Sequence, residues 1–473
     1  MKPERLSSAA RSFLPMNRRH FIQRTLAASA AISAPSILSA RSPNSMFQIA
    51  SIGVGGMGGN TMMSVAQHPR AQIVGMCDVD ANALSRALAG QASRRKELVT
   101  GGDDARLKNA ATFADYREML SKLGDQIDAV TIGTPDHTHA SMAVTALRMG
   151  KPVYLQKPLT HHLSEARGLE LEAKKAGVTT QMGTQGHSSV ETSLTVDLIQ
   201  SGAIGKVKEV ICWENKKATW WPKVTERKAA SDALPGGLNW DLWLGVAHDL
   251  PFLDQAYHPS MWRSWADFGV GMMGDMGCHY FDVVFACLGL AAPTQVRCLD
   301  EGSKGDLYAT KRHLEFQFPG TALTAGDSVK LTWTDGGYPY DPKVVIKPAA
   351  LTREAPSGIF FVGETGGIFK PHSQRPWLVP EEKFTGFTYP KTRPANHYTD
   401  WVDAAMAGTP ASTDFTTYGC PVTEAVLLGV LAERNPGGWI EWDASAGQVK
   451  NRPELNAQLT RTYRDGWKGE GLG

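Results

Sequence analysis

The sequence lacks the paired cysteines that metal-binding and thiol-redox sites use. Its six cysteines are scattered over 473 residues with no C-x-x-C pair, at positions 77, 212, 278, 287, 298 and 420. This spacing excludes a zinc knuckle or a dithiol redox site. The spacing does not decide whether disulfide bonds form. However, Cys77 and Cys287 lie in apolar runs and are predicted to be small buried residues.

An excess of charge of one sign is also missing. The chain has 49 lysines and arginines against 47 aspartates and glutamates, a formal net charge of +2, and no long basic run. Such a balance indicates no nucleic-acid partner. With 42% hydrophobic and 20% charged residues, the composition is typical of a globular protein, and the length suits two or three domains.

Long apolar runs are absent from the chain after its leader, so no later transmembrane helix is predicted. The leader itself has the order of an export signal: a basic stretch with Arg18 and Arg19, then mildly apolar small residues from Thr25 to Ile32. The paired arginines favour the twin-arginine route, which suits a protein that folds around a cofactor before export. The alternative is a disordered N-terminus with a chance Arg-Arg pair.

Residues 1–45 are therefore predicted to be an export signal and linker, and the protein to be periplasmic or otherwise extracytoplasmic. The twin-arginine export machinery would be a partner. The stretch from Ala34 to Ala40 has no clear cleavage motif, so an uncleaved anchor stays open.

A glycine-rich turn follows the first strand-like run of the mature chain. Residues 48–58 read QIASIGVGGMG and place Gly53, Gly55 and Gly58 in the G-x-G-x-x-G spacing of a dinucleotide-binding turn, with Gly56 and Met57 inside it. The first glycine makes the turn, the second lets the backbone approach a pyrophosphate, and the third lets helix pack on strand. The phosphates would then lie at a helix N-terminus.

A second strand-like run, residues 71–77, ends on Asp78, 20 residues after Gly58. An acidic residue at this distance hydrogen-bonds the adenosine ribose hydroxyls. A carboxylate there would repel a 2′-phosphate, so the sequence predicts NAD as the cofactor, with NADP the less favoured alternative.

Strand and helix patterns then alternate, which predicts a parallel sheet covered on both faces. Strands are expected at 128–133, 152–156 and 179–182, with helices at 140–149, capped by Asp136, and at 164–176. Because ligands bind at the carboxyl ends of such strands, one rim is expected to carry the following residues. They are Gly53, Thr134, Pro135, Gln156 and Lys157.

The glycine turn, the Thr134–His139 loop, the Lys157-Pro158 pair and the segment Gly274–His279 resemble the Gfo/Idh/MocA oxidoreductase family, over nearly the whole chain after residue 46. The chain is similar in particular to exported, twin-arginine members with many tryptophans in the second domain. The resemblance implies an α/β protein with a Rossmann domain and then an α/β domain whose open sheet is largely antiparallel. It also implies NAD(P)-dependent oxidation or reduction of sugars and cyclitols, and a homodimer or homotetramer.

On this basis residues 46–183 are predicted to form the NAD-binding domain and residues 184–473 the substrate and oligomerisation domain. The family's lysine falls on Lys157, in a motif usually written Glu-Lys-Pro, where this chain has Gln156. The missing carboxylate would change cofactor orientation or affinity. In the family the Lys-Pro peptide is often cis, which would direct the ammonium into the cleft.

The family's active-site aspartate and histidine fall on Asp275 and His279. A helix predicted from Asp275 to Leu288 would place them one turn apart on one face, with Asp282 a further turn along in a structural role. The alternative is that Asp275 is only a helix cap and His279 a core residue. The presence of Lys157 and the glycine turn in the same chain favours a catalytic role for Asp275 and His279.

We therefore predict Lys157, Asp275 and His279 as the catalytic residues. Histidine, with an ordinary pKa of about 6.5, suits proton transfer, so His279 is assigned as general acid/base. Lys157 would hydrogen-bond the reacting oxygen and share the proton, and Asp275 would orient substrate hydroxyls. The lysine and histidine roles could be exchanged.

Seven of the 13 tryptophans lie between residues 213 and 265. Aromatic faces bind the C–H faces of sugars, although most of these tryptophans are expected to serve in packing. Residues beside polar groups are the better candidates for a hydroxyl-rich pocket. They are Asn215, Trp221, Tyr257, His258, Trp262 and Arg263. His137 and His139 resemble a metal pair, but we assign His139 to the nicotinamide-side loop and predict no metal site.

Toward the C-terminus, residues 316–318, 329–333 and 359–362 are predicted strands, 370–391 a long loop, and 397–406 and 423–433 helices. Three functions then compete. The first is an exported NAD-linked dehydrogenase or reductase for a carbohydrate or cyclitol. The second is a redox-neutral glycosidase that uses a tightly bound NAD to oxidise a sugar transiently, eliminates a glycosidic substituent and reduces the product again. The third is a sugar-binding protein without catalytic activity, which is disfavoured because Lys157, Asp275 and His279 are present.

Overall fold

The fold is taken from a computed structural model, which describes residues 45–93, 95–100, 104–107, 109–215, 221–339, 341, 357–392 and 394–467. The predicted export signal lies outside these residues apart from Ser45, and so does Trp220.

The first sheet has six parallel strands in the order β3-β2-β1-β4-β5-β6. Its strands are β1 (Phe47–Ile52), β2 (Ala71–Cys77), β3 (Ala111–Phe113), β4 (Ala129–Ile132), β5 (Val153–Gln156) and β6 (Thr180–Gly183). β4 and β5 are buried along their whole length, as expected for strands with helices on both faces.

Five helices lie between these strands. They are α1 (Gly56–Val65), α2 (Ala81–Leu88), α3 (Tyr116–Leu123), α4 (His139–Arg148) and α5 (Leu163–Ala176). The chain leaves β1 to one side through α1 and β2, and returns to the other side of β1 at β4. The reversal of strand order opens a crevice at the carboxyl ends of β1 and β4, where ligands bind in sheets of this kind.

The second sheet has nine strands in the order β13-β12-β11-β7-β10-β9-β8-β14-β15. Only β7 and β10 are parallel within it, and the other paired neighbours are antiparallel. The strands are β7 (Val207–Glu214), β8 (Gln295–Cys298), β9 (Arg312–Pro319), β10 (Ser328–Asp335), β11 (Ser357–Gly363), β12 (Gly367–Pro371), β13 (Trp377–Val379), β14 (Ile440–Asp443) and β15 (Gln448–Val449). An α/β protein with a parallel sheet followed by a mostly antiparallel sheet is thus confirmed.

The later helices are α6 (Val190–Gln200), α7 (Trp240–Leu244), α8 (Cys278–Leu288), α9 (Thr399–Ala407) and α10 (Cys420–Arg434). Helices α6, α8 and α10 contribute to one apolar core with the second sheet. Among the described residues, the segment Phe415–Arg434, which contains α10, is long and apolar enough to cross a membrane. However, 78% of its apolar window is buried inside the protein, as expected for a core helix.

The structure differs from the sequence predictions in two elements. Residues 370–391 are not one long loop, because β12 ends in them and β13 and a short 3₁₀ helix (Glu381–Phe384) follow. The helix predicted from Asp275 begins with a π-helical turn, Met273–Gly277, before α8. All six cysteines are buried free thiols.

Candidate active site

A cleft of about 700 Å³ lies at the carboxyl ends of the parallel strands. One wall comes from the first sheet and its loops, and the other from residues 242–279 with Trp467. The sequence-predicted residues on its walls are Gly53, Gly55, Gly56, Met57, Asp78, Thr134, Pro135, Gln156, Lys157, His258, Trp262, Arg263, Asp275 and His279.

The glycine turn forms one end of this cleft. Gly53 and Gly56 have φ of +74° and +53°, and a Cβ at Gly56 would meet no atom within 4 Å. A Cβ at Gly58 would lie 2.0 Å from the carbonyl oxygen of Gly53, so Gly58 sits behind the cleft and allows α1 to pack against the turn. The turn thus offers bare backbone at a helix N-terminus, which fits a pyrophosphate.

Asp78 lies beside this turn at the end of β2. Its carboxylate accepts hydrogen bonds from the backbone N–H groups of Val54, at 2.9 Å, and Asp80, at 3.0 Å. Burial raises the pKa of Asp78, and the backbone N–H donors partly oppose this rise. These donors fix the carboxylate on the cleft wall, where it fits the ribose hydroxyls of a dinucleotide.

Gln156, which replaces the glutamate of the family motif, is held by a neighbouring helix. Its amide Nε2 donates a hydrogen bond to Thr61 Oγ1 on α1 at 2.9 Å, and the residue is 5% exposed. A neutral amide therefore occupies this part of the rim, between the glycine turn and Lys157.

A charged cluster forms the opposite end of the cleft. Lys157 Nζ lies 3.0 Å from Asp275 Oδ1 and also donates to the Asp275 carbonyl oxygen, while Arg263 Nε lies 3.1 Å from the same Oδ1. Burial by itself would raise the pKa of Asp275, but Lys157, Arg263 and His279 hold it well below the usual range. Asp275 is therefore an anion that positions two cations. The Lys157-Pro158 peptide is cis, as it often is in the family that the sequence resembles.

His279 faces this cluster from the first turn of α8. Its ring centroid lies 5.8 Å from that of His372, in an edge-to-face arrangement. Asp282, which is 1% exposed, points away from the cleft and accepts hydrogen bonds from His187 Nδ1 at 2.8 Å and from Tyr418 Oη at 3.0 Å. Asp282 thus has the structural role that the sequence predicted.

Asp136 lies on the cleft wall, although the sequence suggested only a helix cap. That prediction is wrong, because Asp136 lies in a 3₁₀ turn and Thr138 occupies the N-cap of α4 with no side-chain cap bond. The pKa of Asp136 is raised to about 7, because the effects of burial and of the Asp275 carboxylate, which raise it, outweigh those of Arg263 and Lys157, which lower it. A carboxyl that titrates near neutral pH thus adjoins the charged cluster.

His139 lies behind the wall. Its Nδ1 is 2.8 Å from the Pro158 carbonyl oxygen and its Nε2 is 2.9 Å from that of Thr134. Burial lowers its pKa to about 4. A neutral imidazole has a single N–H group, so at any time it donates a hydrogen bond to only one of the two carbonyl oxygens. His139 supports the Thr134 loop from below and does not reach the cleft.

Three of the six predicted substrate residues lie away from the cleft. Asn215 accepts a hydrogen bond from the Gly337 N–H at 3.2 Å, Trp221 is half-buried, and Tyr257 is fully buried in an aromatic cluster with Trp240. The other three line the cleft. Trp262 stacks under the Arg263 guanidinium at 4.2 Å, and His258 Nε2 lies 3.7 Å from Asp80.

Sequence reasoning missed several wall residues. Besides Asp136, they include Asn60, Asp80, Arg86, Asp115, Trp243, Met276 and Trp467. Most of these are ordinary polar or aromatic residues outside any motif. Three of them had a sequence signal. Asp80 comes two residues after Asp78, Met276 lies inside the segment Gly274–His279, and Trp243 belongs to the tryptophans between residues 213 and 265.

Comparison with known proteins agrees with this architecture. The model of the GFO_IDH_MocA oxidoreductase family for an NAD-binding Rossmann fold matches residues 47–184, and the family's C-terminal alpha/beta domain matches residues 189–325. An inositol 2-dehydrogenase of Rubrobacter xylanophilus is 29% identical over 158 residues, which cover 33% of this chain and 40% of that protein. A glycosyl hydrolase family 109 protein of a Shewanella species is 22% identical over 238 residues, or 46% of this chain and 50% of that protein.

The chain thus spans half or less of the length of these curated relatives. Among solved structures, the WlbA dehydrogenase of Bordetella pertussis, in complex with NADH and UDP-GlcNAcA, superposes with a TM-score of 0.57. The superposition has 15% sequence identity and covers 84% of this chain and 99% of that one, so it shows a shared fold. Together, the two domain matches and the two sheets show that the chain belongs to the Gfo/Idh/MocA oxidoreductase family.

Proposed function

We propose that the protein is an NAD-dependent oxidoreductase that transfers a hydride between nicotinamide and a hydroxyl carbon of a sugar, glycoside or cyclitol. One observation carries this proposal. A single cleft has a bare glycine turn with Asp78 at one end and Lys157, Asp275 and His279 together at the other. Relatives named as an inositol 2-dehydrogenase and a sugar-nucleotide-bound dehydrogenase support a polyhydroxylated substrate.

The chain's own residues divide the work as follows. Oxidation of an alcohol removes a proton from the hydroxyl oxygen and a hydride from the carbon that carries this hydroxyl, and NAD when bound accepts the hydride. His279 takes the proton, Lys157 hydrogen-bonds the reacting oxygen and shares that proton, and Asp275 orients both Lys157 and the substrate hydroxyls. The exchanged assignment, with Lys157 as the base, uses the same groups.

Asp78 favours NAD over NADP. A 2′-phosphate would lie against a carboxylate that is already fixed by two backbone N–H groups. Repulsion between the two anions would lower affinity for NADP.

A second candidate is a redox-neutral glycosidase. In it the sugar is oxidised transiently, the glycosidic substituent is eliminated, water adds, and the product is reduced again, so no net oxidant is used. The similarity to a glycosyl hydrolase family 109 protein over 46% of the chain favours it. A tightly bound cofactor would suit this cycle.

The two candidates are separated by the state of the cofactor after reaction. Purified protein is incubated with a panel of free sugars, cyclitols and aryl glycosides, and the released nucleotide is identified by its mass and ultraviolet spectrum. NAD that becomes NADH and stays reduced supports the dehydrogenase. Glycoside cleavage without net reduction supports the glycosidase, and absence of any bound or bindable nucleotide contradicts both.

We also propose export through the twin-arginine route, on the strength of Arg18 and Arg19. The test is cell fractionation of the native chain and of the double variant Arg18→Lys, Arg19→Lys. The native protein is expected in the extracytoplasmic fraction and the variant in the cytoplasm. Equal distribution of the two would contradict this route.

Assembly as a homodimer or homotetramer is proposed as well, since the second sheet has nine strands that offer a wide surface for a second copy. Light scattering of the purified protein should give a multiple of the chain mass of 51.3 kDa, less any removed leader. A monomer at working concentration would contradict this proposal.

A further inference from the structure

The segment Leu459–Trp467, here named the C-terminal strap, follows the 3₁₀ helix Pro453–Gln458 and runs along the parallel-sheet half of the protein. It is anchored there at two points. The Leu459 carbonyl oxygen accepts the Ser164 N–H at 2.9 Å, and Tyr463 Oη donates to Glu165 Oε1 at 2.8 Å. Tyr463 and Glu165 are both buried, so this end of the strap is fixed at the N-terminus of α5.

Arg464 ties the strap to the loop after α7. Its guanidinium donates to the Gly245 carbonyl oxygen at 3.1 Å and contacts the carboxylates of Asp241, at 2.6 Å, and Asp249, at 2.7 Å. Its backbone N–H donates to the Val246 carbonyl oxygen at 3.2 Å. The strap therefore joins the parallel-sheet half to the opposite wall of the cleft.

Trp467 lies at the end of this anchored segment and forms part of the cleft wall. It is 5% exposed, and the Arg117 guanidinium lies 4.1 Å from its ring centroid. Arg117 is itself held by Asp115, with Nη2 2.7 Å from Oδ2. The Arg117 guanidinium thus holds the ring in place on the cleft wall.

The position of Trp467 along the cleft follows from the sheet. Asp115, which also lines the cleft, comes two residues after β3, and β3 pairs with β2, the strand that leads to Asp78. Through its contact with Arg117, Trp467 therefore lies on the β3 side of the cleft, the side on which Asp78 lies. In a dinucleotide oriented by the glycine turn and Asp78, this end receives the adenosine.

We propose that the C-terminal strap closes the adenosine end of the cleft, and that Trp467 contacts the adenosine moiety and slows release of the dinucleotide. The inference rests on the proposed function for the identity of the ligand. In proteins that bind single-stranded nucleic acids, stacking of a base on an aromatic side chain strengthens binding by about tenfold or more. Retention of this kind suits a protein that works where free NAD is scarce.

The test measures binding rather than turnover. Calorimetry on the full chain gives the affinities of NAD, ADP-ribose and nicotinamide mononucleotide for the native protein and for Trp467→Ala. The variant should bind NAD and ADP-ribose about tenfold more weakly, through faster dissociation, and nicotinamide mononucleotide unchanged. Trp439→Ala is the matched control, because Trp439 is also stacked under an arginine, Arg297 at 4.3 Å, but lies outside the cleft.

Two further variants guard against a folding defect. Trp467→Phe keeps an aromatic ring and should retain most of the affinity for ADP-ribose. Arg464→Ala detaches the strap from the loop after α7 without removing a wall residue, and should reproduce the selective loss for NAD and ADP-ribose.

The outcomes separate the two proposals. If Trp467→Ala and Arg464→Ala bind ADP-ribose within twofold of the native protein, the strap inference is overturned while NAD binding stands. If all three ligands weaken equally, the strap supports only the fold and the inference is again overturned. If the native chain binds none of them, the proposed function fails first.

Discussion

The two ends of the cleft are built in different ways. The cofactor end consists of strand termini and their turns, and presents the bare backbone of the glycine turn beside the fixed carboxylate of Asp78. The substrate end is a set of charged side chains in which Lys157 and Arg263 converge on Asp275. The first end recognises an anionic ligand by geometry, whereas the second holds charges close together where a proton can move.

This difference has a consequence for mutation. Changes at the cofactor end should weaken binding of the dinucleotide by modest factors, because several backbone N–H groups contribute to it. Changes at the substrate end should reduce turnover much more, since each ionic group there positions the others.

The largest effect is expected for Lys157→Met. Removing the ammonium leaves Asp275 with Arg263 as its close cation and removes the proposed hydrogen bond to the reacting oxygen, so kcat should fall by about 10³-fold. ADP-ribose affinity should stay within about threefold by calorimetry, because that ligand lies at the other end. Lys122→Met is the control, an exposed lysine paired with Glu118 at 2.6 Å. More than about a tenth of native activity in Lys157→Met would contradict the role.

A loss of about 10²-fold in kcat is expected for His279→Asn. The pH–rate profile should also lose one limb, because the proposed general acid/base has been removed. His248→Asn, at an exposed position outside the cleft, is the matched control. If His279→Asn keeps the native pH profile, the proton is handled by Lys157 and the roles are exchanged.

At the cofactor end, Asp78→Asn should weaken NAD binding by about tenfold, the value of a hydrogen bond to a charged group. The preference for NAD over NADP should shrink at the same time, since the repelling carboxylate is gone. Calorimetry with both nucleotides measures this, and Asp125→Asn, at an exposed position, serves as control. If the ratio of the affinities for NAD and NADP is unchanged in the variant, Asp78 does not discriminate between the two cofactors.

The last effect concerns stability and needs neither substrate nor cofactor. The pKa of Asp136 is raised in the folded protein to about 7, against 3.8 as the ordinary value, so the native state binds this proton more tightly than the unfolded state. The group's contribution to stability is therefore fully present below the unfolded pKa and is lost as pH rises through the folded pKa. The native free energy of unfolding should fall with pH between about 4 and 7, by at most about 1.4 kcal/mol per pH unit from this group.

Urea unfolding of cofactor-free native protein and of Asp136→Asn at several pH values measures this contribution. The variant should lack that part of the slope. Parallel curves for the two proteins would show that Asp136 is ionised throughout the range.

Sequence reasoning reached the cofactor end because its signals are local. Gly53, Gly55 and Gly58 lie within six residues, and Asp78 follows at a fixed distance in the next strand. The strands of the first sheet could be predicted for the same reason, since continuous buried runs mark them. Lys157, Asp275 and His279 were reached through the family resemblance, and the structure places all three in the cleft.

What could not be predicted depends on contacts between distant parts of the chain. Trp467 reaches the cleft only because Tyr463 and Arg464 anchor the strap, and nothing near Trp467 in sequence shows this. Asp136 was assigned as a cap from its position just before a predicted helix. Its charged neighbours Arg263 and Lys157 are distant in sequence, so its place beside them could not be predicted. Tyr257 is polar in sequence but packs in an aromatic cluster that only the fold assembles.

The most direct test of the central claim is rapid mixing of the NAD-loaded protein with substrates from the sugar, cyclitol and glycoside panel, followed by the absorbance of reduced nicotinamide. The account predicts that this band appears before or with the first turnover, lasting for a dehydrogenase and transient for a redox-neutral glycosidase, and that Lys157→Met suppresses it. Product formed at native rate with no reduced nicotinamide at any time would contradict hydride transfer in this cleft.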